Sequence, residues 1–196
     1  MAENIFVKEL NAFGMIYSEE SGFIGSGGEC LITLDPFDGS DNFLSKFPYF
    51  GTSVAIEDST GIQAGIITNL ANGTIAVKTP QRHCRASLKK LDFKDVVKNS
   101  DPKTGIFERA YLSAIYADKL KKSKIKYRIP GAVALSLSLS HDVSFIILEG
   151  NLRVFDIKAG LYMCEDLYRH KTNDLTIICH QENMFNRLKQ ILIEDR

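Results

Sequence analysis

The chain has 196 residues, with 24 basic and 24 acidic side chains and a formal net charge of zero at pH 7. This balance removes the general electrostatic reason for nucleic-acid binding, and no apolar run approaches the roughly 20 residues of a membrane-spanning helix. The N-terminus has no signal-peptide pattern, and the four cysteines show no Cys-x-x-Cys spacing. We therefore expect a cytoplasmic protein with reduced thiols, and neither a nucleic acid nor a membrane as its partner.

An acidic pair follows the first predicted strand, residues 15–17. Glu19 and Glu20 are adjacent, and Ser21 and Gly22 continue the segment as a polar turn. Neighbouring carboxylates repel each other, so the pair indicates either a cation site or an exposed turn. Taken alone, the exposed turn is the simpler interpretation.

Residues 34–43, Leu-Asp-Pro-Phe-Asp-Gly-Ser-Asp-Asn-Phe, are the most informative stretch of the chain. A mostly apolar run over residues 31–34 predicts a short buried strand, and Asp35 and Asp38 follow at its end. Pro36 fixes one φ angle and so stiffens the spacing between the two carboxylates. Carboxylate oxygens are hard ligands that suit Mg²⁺. The alternative is an ordinary turn, because Asp, Pro and Gly are common turn residues.

Gly39 and Ser40 open a predicted helix at residues 42–47, which ends at Pro48. Amide N–H groups at a helix start favour a phosphate ligand. A strand end, two carboxylates and a helix start within one short segment therefore predict a site for a metal ion and a phosphate group.

Turn signals divide the next stretch into three strands that predict an antiparallel meander: residues 51–57, 61–69 and 73–78. The polar segment 95–103 follows them. We expect it to separate a metal-binding subdomain at residues 1–102 from a second subdomain at residues 103–196 that completes the site.

The second half alternates strands and helices. Apolar patterns predict strands at residues 105–109 and 144–148 and helices at residues 111–122 and 182–193. Lysines at the end of the first of these helices are explained by the helix dipole without a nucleic-acid site.

Two more acidic residues follow the predicted strand at residues 144–148. Glu149 comes directly after the strand, and Asp156 lies at the start of a further predicted helix. For Asp156, a helix N-cap role is the simplest structural explanation.

Three segments, in chain order, resemble the motifs of the inositol monophosphatase family, which belongs with fructose-1,6-bisphosphatase to the Mg²⁺-dependent, lithium-sensitive sugar phosphatases. Glu19 and Glu20 resemble its Glu-Glu pair, and residues 35–40 resemble its Asp-Pro-(apolar)-Asp-Gly-(Thr/Ser) motif. Residues 155–160 resemble its Trp-Asp-x-x-Ala-Gly motif, with Phe155 in place of the tryptophan. The middle motif is highly specific, and the resemblance extends through most of the chain.

The resemblance implies a layered α-β-α-β-α sugar-phosphatase fold of the α+β or α/β class. Its N-terminal subdomain has an antiparallel sheet and its C-terminal subdomain a mixed sheet. It also implies a helix at residues 134–140, where the alternation of Leu and Ser favours a strand. At this segment we follow the resemblance.

The resemblance also implies the roles of the site residues. The implied ligands of two or three Mg²⁺ ions, with Mn²⁺ as an alternative, are Glu19, Asp35, the Phe37 carbonyl, Asp38 and Asp156. The implied catalytic residues are Glu19, Asp38 and Ser40. The implied substrate contacts are Asp38, Gly39, Ser40, Gly131, Ala132, Glu149 and Asp156, although Ala132 stands where Thr or Ser is common.

The function that the resemblance implies is Mg²⁺-dependent hydrolysis of a small phosphorylated polyol or sugar by a homodimer. The alternative is a non-catalytic relative that acts as an interaction or regulatory module. The family's chains are longer at the N-terminus, where further helices precede the segment at residues 4–13. Without those helices we expect uncovered apolar surface on the first sheet, self-association and weak activity.

Overall fold

The structure, a computed structural model, describes residues 2–25 and 27–194. The first of its two sheets has eight strands in the spatial order β2-β1-β3-β4-β5-β6-β7-β8. These strands are β1 (Gly14–Ser18), β2 (Gly22–Ile24), β3 (Cys30–Asp38), β4 (Gly51–Asp58), β5 (Gly61–Asn69), β6 (Thr74–Lys78), β7 (His83–Ser87) and β8 (Lys94–Asp95).

The predicted meander is confirmed as β4, β5 and β6, and each strand lies within one residue of its expected bounds. Its strands pair antiparallel, as expected. The pairing of β1 with β3 is parallel, which the expectation of an antiparallel sheet did not include. This parallel pair brings the carboxyl ends of β1 and β3 side by side.

The second sheet is mixed, as predicted. Its order is β10-β9-β11-β13-β12, with β9 parallel to both neighbours and β13 antiparallel to both of its own. The strands are β9 (Gly105–Glu108), β10 (Tyr127–Arg128), β11 (Ile146–Glu149), β12 (Tyr168–Lys171) and β13 (Leu175–Cys179). The subdomain division at residue 102 stays a prediction.

The helices are α1 (Ala2–Leu10), α2 (Ser40–Leu44), α3 (Ala114–Lys122), α4 (Val133–Ser138), α5 (Val154–Met163) and α6 (Glu182–Lys189), which continues into a π-helical turn at Gln190–Glu194. The predicted helix at residues 42–47 was misplaced by two to three residues, because Lys46 has a φ of 59° that an α-helix does not allow. The helix predicted from residue 111 begins at Ala114, since residues 109–112 form a turn around the positive φ of Arg109.

The segment whose Leu/Ser alternation favoured a strand is the helix α4. All six of its residues are buried, so a helical period of apolar and polar residues has no exposed face on which to appear. Ser138 Oγ donates to the Leu135 carbonyl at 2.7 Å, which satisfies a hydroxyl inside the core. The family resemblance was therefore the better guide here.

Five layers stack in the order that the resemblance implied. Helix α1 packs on one face of the first sheet, and α4 and α5 pack on the other face. The same two helices also contact the second sheet, whose far face is covered by α3 and α6. Gly160 of α5 allows the close approach to α4, because a Cβ at this position would lie 2.4 Å from Leu137 Cβ.

Candidate metal centre

Three carboxylates from separate elements converge at one end of the first sheet. Glu19 follows β1, Asp35 lies on β3, and Asp156 lies in the first turn of α5. One oxygen from each lies within 4.8 Å of the others. The parallel register, in which Ser18 pairs with Leu34, places Glu19 and Asp35 directly after the same rung of the ladder.

Asp35 is the most enclosed member of this carboxylate cluster, with 2% of its surface exposed. Burial raises its pKa to about 7, and the charges of Glu19 and Asp156 act in the same direction. The Phe37 N–H donates to Asp35 Oδ1 at 2.8 Å and opposes that rise. Such mutual repulsion in a buried position is relieved by a cation.

A β-bulge places Asp38 on the same face of β3 as Asp35. Asp35 pairs with Ser53 and Asp38 with Gly51, so three steps along β3 match two along β4. Because side chains alternate between faces, residues three apart would otherwise point in opposite directions. The Leu135 N–H of α4 donates to Asp38 Oδ2 at 3.0 Å.

Asp38 is therefore buried beside the cluster but is not one of its three members. Burial raises its pKa well above the usual value, and the charge of Asp35 adds to the rise. The pairing of Asp35 and Asp38 around a second ion stays a prediction.

Arg153 supplies positive charge to the cluster. Its Nη2 lies 3.1 Å from Asp156 Oδ1 and its Nε 3.2 Å from Asp156 Oδ2, and its Nη1 donates to Glu19 Oε1. Arg153 is also the N-cap residue of α5, the role that sequence reasoning considered for Asp156. Sequence analysis did not single out Arg153, because its partners are distant in the chain or lie within another motif.

The predicted phosphate-binding residues Gly39 and Ser40 lie where β3 passes into α2. Gly39 has a φ of 83°, and a Cβ at this position would lie 2.9 Å from the Tyr49 carbonyl and 3.0 Å from Ala132 Cβ. A side chain is therefore excluded twice, by conformation and by space. This close approach brings the predicted substrate residues Gly131 and Ala132 beside the start of α2.

Glu149 ends β11 with only 3% of its surface exposed. Ser113 Oγ donates to its Oε1, whereas Oε2 has no hydrogen-bond partner among the described residues. A buried carboxylate oxygen without a donor is costly. The role that the resemblance implies for Glu149, a contact with a substrate hydroxyl group, stays a prediction.

A further buried carboxylate, Glu108 at the end of β9, was missed by sequence analysis. The Gly131 N–H donates to its Oε2 at 3.1 Å, and Ser136 Oγ donates to its Oε1. The Tyr49 hydroxyl lies 3.1 Å from Ser136 Oγ and completes the group, which we call the Glu108 network. The sequence feature that could have indicated it is an acidic residue at the end of an apolar strand.

Asn42 of α2 reinforces the same loop from the other side. Its Nδ2 donates to the Pro130 carbonyl at 2.8 Å and to the Tyr49 carbonyl at 2.7 Å. Asn42 and Glu108 together hold the backbone of Gly131, so the loop beside α2 is fixed before any ligand arrives.

A sequence model of the inositol monophosphatase family matches residues 1–167. The chain belongs to this family. It is 27% identical over 179 residues to the Nus factor SuhB of Xylella fastidiosa, covering 85% of this chain and 64% of that protein. It is 28% identical over 180 residues to a fructose-1,6-bisphosphatase/inositol-1-monophosphatase of Methanothermobacter thermautotrophicus, covering 81% of this chain and 62% of that protein. The chain thus spans less than two thirds of the length of these relatives.

Solved structures of other proteins share this fold. SuhB from Bartonella henselae superposes with a TM-score of 0.81 at 22% identity, covering all of this chain and 83% of that one. A Pyrococcus horikoshii protein described as similar to inositol-1 monophosphatase gives 0.80 at 19% identity, covering 97% and 82%. No helix in the described part of the chain is long and apolar enough to cross a membrane.

The carboxylate cluster fits the metal dependence of the inositol monophosphatase family. All its donors are carboxylate oxygens, which are the ligands that hard divalent ions prefer. Within residues 2–25 and 27–194 it is the one group of His, Cys, Asp and Glu side chains with the spacing to hold a metal ion.

Proposed function

We propose that this chain is a phosphomonoesterase that uses Mg²⁺, with Mn²⁺ as a substitute, to hydrolyse a small phosphorylated polyol or sugar. The observation that carries the proposal is the convergence of Glu19, Asp35 and Asp156 from three elements onto one point. Bound metal ions would neutralise the phosphoryl oxygens and lower the pKa of the attacking water. Family membership supports this reaction class, and the substrate is part of the proposal.

The chain's own residues divide the remaining work. Glu19, the most exposed of the three clustered carboxylates, is proposed to orient a water molecule together with the Ser40 hydroxyl. The amides of Gly39 and Ser40 would bind phosphate oxygens. The proposed metal ligands are Glu19, Asp35, the Phe37 carbonyl, Asp38 and Asp156.

Glu149 is proposed to orient the substrate by accepting a hydrogen bond from one of its hydroxyl groups. Family membership supports this role, and the buried Oε2 has no hydrogen-bond partner among the described residues, so its neighbours must move to admit a hydroxyl group. Gly131 and Ala132, whose loop is held by Glu108 and Asn42, would form the neighbouring wall.

The test is phosphate release from inositol 1-phosphate, fructose 1,6-bisphosphate and p-nitrophenyl phosphate, with Mg²⁺ and with a chelator. We expect metal-dependent release, and the Glu149→Gln variant should raise KM for the polyol substrate that is used. Its KM for p-nitrophenyl phosphate should be unchanged, because that ester has no polyol hydroxyl. Metal affinity should also be unchanged.

The second candidate function is a non-catalytic interaction module, and exposed apolar surface favours it. Phe43, Leu44 and Phe47 are each more than half exposed around α2. Beside them, the outer face of the first sheet and α1 line a groove of about 480 Å³ with no charged side chain. Metal binding without hydrolysis of any phosphate ester would favour this candidate.

We also propose a homodimer in the reducing cytoplasm. Apolar surface of this extent supports self-association, which light scattering would measure. The four cysteines are free, and three of them are buried, which supports a reducing compartment.

A further inference from the structure

Arg153 contacts two of the three carboxylates proposed as metal ligands, and it does so with three nitrogens. Nε and Nη2 engage both oxygens of Asp156, at 3.2 and 3.1 Å, and Nη1 engages Glu19 Oε1. Such fork-like pairing is the geometry in which guanidinium and carboxylate groups interact most strongly. The guanidinium thus bridges the α5 and β1 sides of the carboxylate cluster.

A metal ion and this guanidinium compete for the same oxygens. Both Asp156 oxygens already accept an N–H from Arg153, so an ion that binds through Asp156 would lie beside a second positive charge on the same carboxylate, and the two cations would repel each other. The competition is also electrostatic, because either cation relieves the repulsion between Asp35 and its two neighbours.

The guanidinium can leave without disturbing the core. The side chain of Arg153 is 61% exposed, whereas those of Glu19 and Asp156 are 24% and 11% exposed. The clustered carboxylates are therefore more buried than the guanidinium, which lies on their solvent side.

We propose that Arg153 is a built-in counter-ion that holds the cluster in the metal-free protein and is displaced when the metal ion binds. The proposal rests on the proposed function only in taking Glu19 and Asp156 as metal ligands. It makes Arg153 a determinant of metal affinity. Arg153 sets how much divalent ion the protein needs, because displacing it subtracts from the free energy of metal binding.

The test is calorimetric titration of Mg²⁺ and Mn²⁺ into the wild-type protein and the Arg153→Gln variant. Removing the competitor should strengthen metal affinity by roughly five-fold, the scale of a partly exposed ion pair. The metal-free variant should melt at a lower temperature, because its carboxylates lack their counter-charge. The rise in Tm on adding metal should therefore be larger than in the wild type.

Two variants keep this test falsifiable. Arg153→Lys retains the charge but not the fork, so its affinity should lie between those of the wild type and Arg153→Gln. Arg187→Gln is the control: it removes a surface arginine of α6 that donates to the Ser123 carbonyl, and it should leave metal affinity unchanged.

The outcomes separate this inference from the proposed function. Weaker or unchanged metal binding in a folded Arg153→Gln variant would show that Arg153 only positions Asp156, and would overturn the inference alone. Absence of metal binding by the wild type and every variant would overturn both.

Discussion

Two carboxylate sites in this molecule differ in the groups that compensate their charge. In the Glu108 network, one carboxylate receives hydrogen bonds from Gly131 and Ser136. In the carboxylate cluster, three carboxylates lie together, and Asp35 receives one backbone hydrogen bond while repelling its neighbours. The nearest positive charge comes from Arg153, which contacts Glu19 and Asp156.

The contrast distinguishes a buried carboxylate with a structural environment from the carboxylates that we propose as a ligand site. Burial is the largest cause of the raised pKa of both Asp35 and Glu108, so a raised pKa by itself does not distinguish them. The distinction is that uncharged protein donors satisfy Glu108, whereas the positive charge beside the cluster comes from Arg153, whose side chain is mostly exposed. Carboxylates that repel one another beside an exposed guanidinium are the arrangement that we propose as a cation site.

The largest expected effect comes from breaking the cluster with Asp35→Asn. This change removes the carboxylate at the centre of the repulsion, so metal affinity should fall by at least about 100-fold and phosphatase activity should disappear. The metal-free variant should melt at a higher temperature than the wild type, because a buried charge has been removed. Thermal unfolding with and without Mg²⁺ checks both, and a lower Tm for the metal-free variant would contradict the account of repulsion.

A smaller effect is expected from Glu108→Ala, which should lower stability and leave metal affinity nearly unchanged. The change leaves the Gly131 N–H and the Ser136 hydroxyl without their acceptor, at a cost of about 3 kcal/mol in the free energy of unfolding. Metal affinity should change little, because Glu108 is not a member of the cluster. Urea denaturation and calorimetry measure the two quantities. The matched control Glu108→Gln keeps an acceptor and should lose less stability.

The smallest effect concerns two packed histidines, the half-buried His83 and the buried His141, whose surroundings favour the neutral forms. The rings of His83 and His141 lie 4.9 Å apart, and burial, aided by the charge of His141, lowers the pKa of His83 from 6.5 to about 4. Between pH 6.5 and 4 the unfolded chain therefore binds more protons than the folded one, and stability falls as the pH falls through this window. Above pH 6.5 the contribution is fully present.

His83→Gln should reduce the slope of stability against pH in that window. Comparing the variant with the wild type in urea at several pH values cancels the opposite contribution of Asp35, whose folded pKa is raised. Identical slopes for the two proteins would show that the folded protein does not lower the pKa of His83.

Much of this fold was predictable from local sequence signals. The meander strands were placed within one residue, because their turns carry local signals in Gly, Asn and Asp. Periodicity favoured a strand at helix α4, because all residues of this helix are buried and no exposed face shows the helical period. Its identity came from the resemblance and not from its own pattern.

The candidate site was predictable in its motifs and not in its geometry. The spacing of Asp35 and Asp38 was plain in the sequence, but the bulge that places them on one face depends on pairing with β4. Arg153 and Glu108 were missed for a similar reason. Their partners Glu19 and Gly131 lie 134 and 23 residues away, and no local pattern indicates such contacts.

The most direct test of the central claim is calorimetric titration of Mg²⁺ and Mn²⁺ into the wild-type chain at pH 7.5. Our account predicts saturable binding of at least two ions and a loss of that binding in Asp35→Asn. Heat signals that are the same for the wild type and Asp35→Asn, or no binding at millimolar metal, would show that the carboxylate cluster is not a metal centre.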